Sequence, residues 1–379
     1  MRRTVFLISL SVGVFFLGGT TALGIDVVRT SFSTKSHQEI LPKVLGAYTD
    51  ASNGETQSEK DVTVGWVGDI VPSETIPTFS PEVKNWLASP DLMIGNLEGT
   101  LGVDPKTKCR TSPESCYTFV GTADFMQSLK DDGFDGVNIA NNHSYDGGAV
   151  GFLDIKNILS ATGILAVGEK EKTTITEVSG TQIALLGFGT NYWTNSLSDT
   201  AKVKQIISVA SLQYPIVIVT FHAGSEGEEA NHVNSQTEYY KGEDRGNSYA
   251  FAHTAIDAGA DLVLGSGPHV VRAVEKYNDR LIVYSAGNFL TADGMSNSGS
   301  LGVGALFNIT ISSNGELKNL VIHSVNSGKN NTVSEDQNGT ALSSIESLTN
   351  EDIGQILSSD IIAKKVHDTG LTLRESLGN

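Results

Sequence analysis

Basic residues are few in this chain: 26 Lys and Arg stand against 43 Asp and Glu, for a formal charge of −17 and a pI near 4.8. Such a surface repels nucleic acid and anionic lipid at long range, so nucleic acid is not an expected partner. No glycine-rich phosphate loop ending in lysine is present, which removes the usual sequence support for nucleotide binding. No repeat at a fixed period is visible, so a solenoid is not expected. Cysteine is scarce as well. The two present, Cys109 and Cys116, are separated by six residues in KCRTSPESCY, and without further cysteines that spacing is a poor zinc signature.

What the chain does have is an ordinary globular composition, 39% apolar and 18% charged over 379 residues. Its start is different. Arg2 and Arg3 precede 21 uncharged residues, 5–25, long enough to cross a bilayer as a helix, which needs roughly 20. Residues 1–25 are expected as an uncleaved signal anchor, the alternative being cleavage after Gly24. The arginines would stay in the cytoplasm and the rest would lie outside, at the cell membrane or secreted. In that setting Cys109 and Cys116 are expected to form a disulfide closing a surface loop.

Residues 26–60 are polar and aperiodic and read as a tether. From Val62 the chain turns into short apolar runs, each ending in polar residues: VTVGWVGDI, LMIGNLEG, GVNIANNH, QIALLGFG, IVIVTFHAG, DLVLGSGPH and LIVYSAGNF. Helical stretches, including residues 122–131, 154–162 and 248–258, separate several of them. This is the grammar of an α/β domain with a mostly parallel sheet and outer helices. Near the end, two alternating strands flank Asn314 and Gly315, a hairpin signal that closes the domain at about Val325. Residues 326–379 read as a linker, low in hydrophobics, followed by a helical segment with Ile353, Ile356, Leu357, Ile361 and Ile362 at helical spacing.

The polar residues that end these strands carry the chemistry. Open α/β sheets bind ligands beyond the carboxyl ends of their strands. Asp69, Glu98, Asn141, Asn142, His143, His222 and His269 all fall there. Singly, each has a plain reading: Asp69 as a helix cap, the asparagines as turn formers, His222 as a hydrogen-bonded core histidine. Jointly, buried carboxylates beside imidazoles need a balancing cation. Mixed oxygen and imidazole donors suit zinc, manganese or iron better than calcium.

The series GDI (68–70), NLEG (96–99), ANNHSYDGG (140–148), HAGSEGE (222–228), GSGPHVVRAVE (265–275) and YSAGNF (284–289) resembles the CapA family of poly-γ-glutamate capsule synthesis proteins. The resemblance spans roughly residues 61–325. It implies a metallophosphatase-like α/β/β/α sandwich with mixed sheets. It implies Asp69, Glu98, Asn142, His222 and His269 as ligands of one or two divalent ions. His143 would be a catalytic proton donor, oriented by Asp146. Asn141, Glu226 and Arg272 would line the substrate cleft, with Arg272 able to hold an anionic group. Ser266 and Gly267 stand where many members have histidines, and Ala223 where many have tryptophan. The implied function is an extracytoplasmic, metal-dependent hydrolase or transferase of capsule or cell-surface polymer biosynthesis. The alternative is a non-catalytic factor that binds the anionic polymer or its membrane synthase.

Overall fold

The computed structural model describes residues 60–102, 117–291 and 295–357, with the two-residue strand Ala363–Lys364. The expected anchor and tether, and the expected disulfide between Cys109 and Cys116, lie outside the described residues. Among those described, no helix is long and apolar enough to cross a membrane.

In chain order the main strands are β1 (Val62–Ile70), β2 (Leu92–Leu97), β3 (Gly136–Asn138), β4 (Leu165–Val167), β5 (Thr174–Val178), β6 (Thr181–Gly189) and β7 (Ile216–His222). They continue with β8 (Leu262–Ser266), β9 (Val274–Tyr277), β10 (Arg280–Val283), β11 (Asn288–Leu290), β12 (Val303–Ile311), β13 (Leu317–Ser327) and β14 (Thr332–Glu335). The helices are α1 (Pro81–Leu87), α2 (Ala123–Asp131), α3 (Gly148–Thr162), α4 (Thr200–Ser211), α5 (Ser248–Asp257) and α6 (Thr340–Leu348). One sheet runs β14-β13-β12-β1-β2-β3-β4, with β11 also paired to β1. The other runs β6-β7-β8-β10-β9, with β5 on the free side of β6. Both are mixed: β1 is parallel to β2 but antiparallel to β12, and β10 is parallel to β8 but antiparallel to β9.

Side-chain alternation explains the layering. Along a strand, successive residues face opposite sides. Leu92 and Ile94 of β2 join Leu262 and Leu264 of β8 in a core between the two sheets. Met93, between them in sequence, faces the other way and packs with Val83, Phe125 and Ile155 of α1, α2 and α3. Val263 likewise turns outward to Ile207 of α4 and Phe251 of α5. The result is four layers, helix, sheet, sheet, helix. Trp66 of β1 links the two sheets, its indole N–H donating to Gly265 O at 3.3 Å. The helices begin where local chemistry favours it: Thr122 caps α2 by accepting from Phe125 N at 3.1 Å, and Asn247 caps α5 through Ala250 N at 2.8 Å.

The expected hairpin is present as β12 and β13, but its turn is longer than two residues. Gly315 takes φ 78° while Asn314 does not take positive φ, and Ser312 and Glu316 pair through Ser312 N to Glu316 O at 2.9 Å. That is a three-residue loop closed by a left-handed glycine, rather than a two-residue turn with both centres left-handed. The segment after Val325 also differs from the expected linker. Asn326 and Ser327 continue β13, β14 pairs with it, and Ala341 and Ile345 of α6 enter the core between the sheets. The helical spacing at Ile353 and beyond is not realised over the described residues: the chain leaves helix at Gly354, in the left-handed region at φ 76°, and Ile361 and Ile362 lie outside them.

Candidate metal centre

The polar ends of strands from both sheets meet at one edge. Gly68 lets β1 approach β11 there, since a Cβ on it would stand 1.9 Å from Gly287 O. The pairing of β1 with β2 and with β11 shifts register on either side of Asp69. Such irregularities re-aim a side chain, and Asp69 points into a fully buried cluster.

Asp69, Glu98 and His222 each bring a ligand atom to within 4.8 Å of the other two. Asn96, on β2, donates from Nδ2 to Asp69 Oδ1 at 2.8 Å. His269 lies 2.9 Å from Asp69 Oδ2 and 3.1 Å from Asn288 Oδ1, both through Nδ1, which is therefore its donor nitrogen. His269 sits at φ 64°, a costly conformation for a residue with a Cβ and a mark of functional sites. His222 Nδ1 lies 3.2 Å from Ser266 Oγ, whose own hydrogen goes to Phe221 O, and 3.3 Å from Asn96 Nδ2, whose two hydrogens have closer acceptors in Asp69 Oδ1 and Glu98 Oε2, so the ring donates to Ser266. That leaves its Nε2 lone pair facing the cluster.

Three imidazole Nε2 atoms converge on one carboxylate oxygen. His222, His269 and His143 stand 3.6, 3.8 and 4.0 Å from Glu98 Oε1. That oxygen is buried and has no hydrogen-bond partner among the described residues, and the same is true of Asn142 Oδ1. Orphaned buried acceptors are rare and ask for an explanation. Burial, then the charges of Asp69 and Glu226, push the Glu98 carboxyl well above its usual range. Burial pushes Asp69 the same way, but its hydrogen bond with His269 and the charge of that ring outweigh it and hold Asp69 below the usual value. Burial holds His222 well below the usual imidazole value, against the pull of Asp69, so it is neutral and able to ligate. Asp69, the unpartnered Glu98 Oε1 and the neutral His222 imidazole fit a divalent cation, while at His269 burial is outweighed by the hydrogen bond to Asp69, which raises that imidazole above its usual value.

The remaining expected residues divide. His143 donates from Nδ1 to Asp146 Oδ2 at 2.8 Å, which fixes its tautomer, and Phe119 packs against its ring at 4.9 Å. Glu226 reaches the site, its Oε2 3.8 Å from His269 Nε2. Asn141 does not face the cleft. It is fully buried, donates to Leu97 O at 2.7 Å and accepts from His143 N and Ser144 N, so it holds the loop that presents His143. Arg272 is also removed from any substrate: it is fully buried, donates from Nε to Ala230 O and forms a two-pronged pair with Glu238 at 2.8 and 2.7 Å. Chain position cannot tell which way a side chain points, and here it points away.

Sequence reasoning missed Asn96, Asn288 and Arg245. The two asparagines lie within NLEG and SAGNF and could have been found as strand-end residues. Arg245 lies just past the short hairpin Tyr239–Tyr240 with Glu243–Asp244, and nothing in its sequence context marks it. It is 2% exposed, pairs with Glu226 through Nη1, and places Nη2 3.3 Å from His222 Nε2. Above the cluster opens a cavity of about 280 Å³, lined by His143, Glu226 and His269 below and by Tyr117, Phe119, Tyr240 and Lys241 at its rim.

Known proteins resemble this chain at several levels. The PGA biosynthesis protein CapA of Bacillus subtilis (strain 168) is 26% identical over 273 residues, covering 63% of this chain and 66% of that protein. The capsule biosynthesis protein CapA of Bacillus anthracis is 24% identical over 258 residues, covering 63% and 61%. The chain thus spans less than two thirds of the length of either relative. Among solved structures, the 5′-nucleotidase precursor of Thermus thermophilus overlaps 78% of this chain and 59% of its own, at 13% identity and a TM-score of 0.38, a likeness too loose to bear on the chemistry. The family described as bacterial capsule synthesis protein PGA_cap matches residues 61–293. That match takes in every residue of the cluster and all of the strands except β12, β13 and β14, and the chain belongs to this family.

Proposed function

We propose that this chain serves capsule or poly-γ-glutamate biosynthesis outside the cytoplasmic membrane, as a metal-dependent hydrolase or transferase acting on an anionic cell-surface polymer. The observation that carries the reading is the buried, partnerless Glu98 Oε1 with three imidazole Nε2 atoms 3.6 to 4.0 Å away. Asp69, Glu98, Asn142, His222 and His269 would hold one or two manganese, zinc or iron ions. When bound, such an ion polarises the scissile phosphoester or amide and lowers the pKa of water.

The chain's own residues supply the rest. Asp146 accepts the Nδ1–H of His143, so in the doubly protonated ring the Nε2 proton is the one given to the leaving group, which keeps it, and Nε2 is then reprotonated from water. Lys241 at the rim, its ammonium 5.0 Å from the Tyr240 ring centroid and 5.7 Å from that of Tyr117, offers a positive charge to an anionic polymer. The two CapA relatives are named for PGA or capsule biosynthesis, which supports the polymer class. The apolar run over residues 5–25 supports an N-terminal anchor and an outside location.

A second reading, a polymer- or synthase-binding assembly factor without turnover, is favoured by one contact: Arg245 Nη2 stands at His222 Nε2, the nitrogen a metal would need. Metal content by mass spectrometry separates the two. The full-length chain should carry one or two equivalents of manganese, zinc or iron, lost when Asp69→Ala and His222→Ala are combined. A folded wild type that stays empty after soaking in these ions sinks the hydrolase reading and leaves the assembly factor.

A further inference from the structure

We infer that Arg245 is a built-in counter-cation of this site, one that competes with a divalent ion for His222 Nε2 and so sets how tightly the site takes metal. The inference rests on the metal-site reading above. The backbone of Arg245 is held at both polar groups, its N–H donating to Glu238 O at 2.9 Å and its carbonyl accepting from Gly224 N at 2.8 Å. The side chain is buried and pairs with Glu226 through Nη1. Its Nε is buried with no hydrogen-bond partner among the described residues. The ion pair with Glu226 holds the guanidinium in place, and its positive charge also acts on the Glu98 carboxyl.

The lone pair of His222 decides the competition. Arg245 Nη2 lies 3.3 Å from His222 Nε2 and can only donate, so Nε2 carries the ring's one lone pair and Nδ1 carries the hydrogen, toward Ser266 Oγ. A lone pair that accepts an N–H cannot at the same time bind a cation. A guanidinium stays charged at any working pH, so protonation cannot relieve the competition. A cation that enters must displace Nη2 and tolerate the positive charge beside it. The same charge balances the carboxylates while metal is absent, which lets the cluster stay folded without an ion. Ser266, on the strand next to His222, orients that ring and supplies no imidazole of its own.

The test is equilibrium binding of manganese and of zinc to the full-length chain, by calorimetry, for wild type, Arg245→Met and Arg245→Lys. Methionine keeps much of the apolar stem and removes the charge. It should bind each ion at least tenfold tighter than wild type, while lysine, which keeps the charge, stays within about threefold of wild type. Equal or weaker binding by Arg245→Met overturns the inference and leaves the metal site standing. Binding by none of the three proteins overturns both. Should Arg245→Met fail to fold, the wild type decides through its ¹⁵N-arginine side-chain resonances during a zinc titration. A buried guanidinium signal that shifts as the ion binds supports displacement, and one that stays fixed at saturation overturns it.

Discussion

Glu98 and Arg272 are both fully buried ionisable groups, and the protein satisfies them in opposite ways. Arg272 has an acceptor for each of its three nitrogens: Ala230 O takes Nε, and the two oxygens of Glu238 take Nη1 and Nη2. Burial raises the Glu238 carboxyl, but the Arg272 pair more than offsets it, and the group ends below its usual value. This pair also supports the site from behind, because Glu238 accepts from Ser225 N and Oγ three residues after His222. Arg272→Met should therefore cost stability rather than substrate binding. Leaving a buried carboxylate unpaired is worth about 3–5 kcal/mol, read as a fall in the urea midpoint. A loss under about 1 kcal/mol would show that Glu238 is solvated well enough without its partner. Glu98, by contrast, keeps one oxygen free, which suits a ligand and not a brace. The sequence made the ligands readable and the brace not. Asp69, Glu98, His222 and His269 stand at strand ends, where topology alone predicts convergence. The direction of Arg272 and the reach of Arg245 depend on backbone turns with no periodic signal.

At the scale of elements, the strands and helices were readable because apolar residues alternate or recur at helical spacing. The C-terminal part was not. β14 is a sheet strand whose Val333 alone is buried among Thr332, Val333, Ser334 and Glu335, so its polar composition resembles a linker. It is held by pairing to β13 rather than by an apolar run. The neighbouring contact of α1 with β13 is testable. Trp86 of α1 stacks on His323 of β13, ring centroids 4.2 Å apart and 14° from parallel. Burial pushes the His323 imidazole from 6.5 down to about 4. A histidine whose folded pKa is depressed binds its proton more readily when unfolded, so its effect on stability is absent above about pH 6.5. Stability is lost as pH falls from there toward 4, by about 3 kcal/mol in full. His323→Phe keeps the stacking and removes the titration. Urea denaturation at pH 7 and pH 4.5 should show a smaller loss in the variant than in wild type. Equal losses would mean that His323 stays neutral in both states or opens to water before unfolding.

For the whole molecule the governing quantity is charge. At −17 the chain should repel an anionic polymer over distances longer than any contact in its site. Under the proposed function, local attraction would come from an ion held in the site and from Lys241 at the cavity rim. Repulsion between exposed charges is screened by salt, with a Debye length of roughly 30 Å at 0.01 M and about 8 Å at 0.15 M. The cavity interactions act over a few ångströms and are screened much less. Association of the metal-loaded, full-length chain with a short γ-linked glutamate oligomer should therefore speed up as salt rises over that range, by up to roughly tenfold. This is the reverse of the salt dependence of a basic protein on a polyanion. Lys241→Gln should slow association at every salt concentration, because it removes the rim charge and leaves the bulk field intact. Stopped-flow rates at several ionic strengths give the sign directly. A rate that falls with salt would mean that a basic patch, not the net charge, governs the approach, and the rim would then matter more than the molecule's overall field.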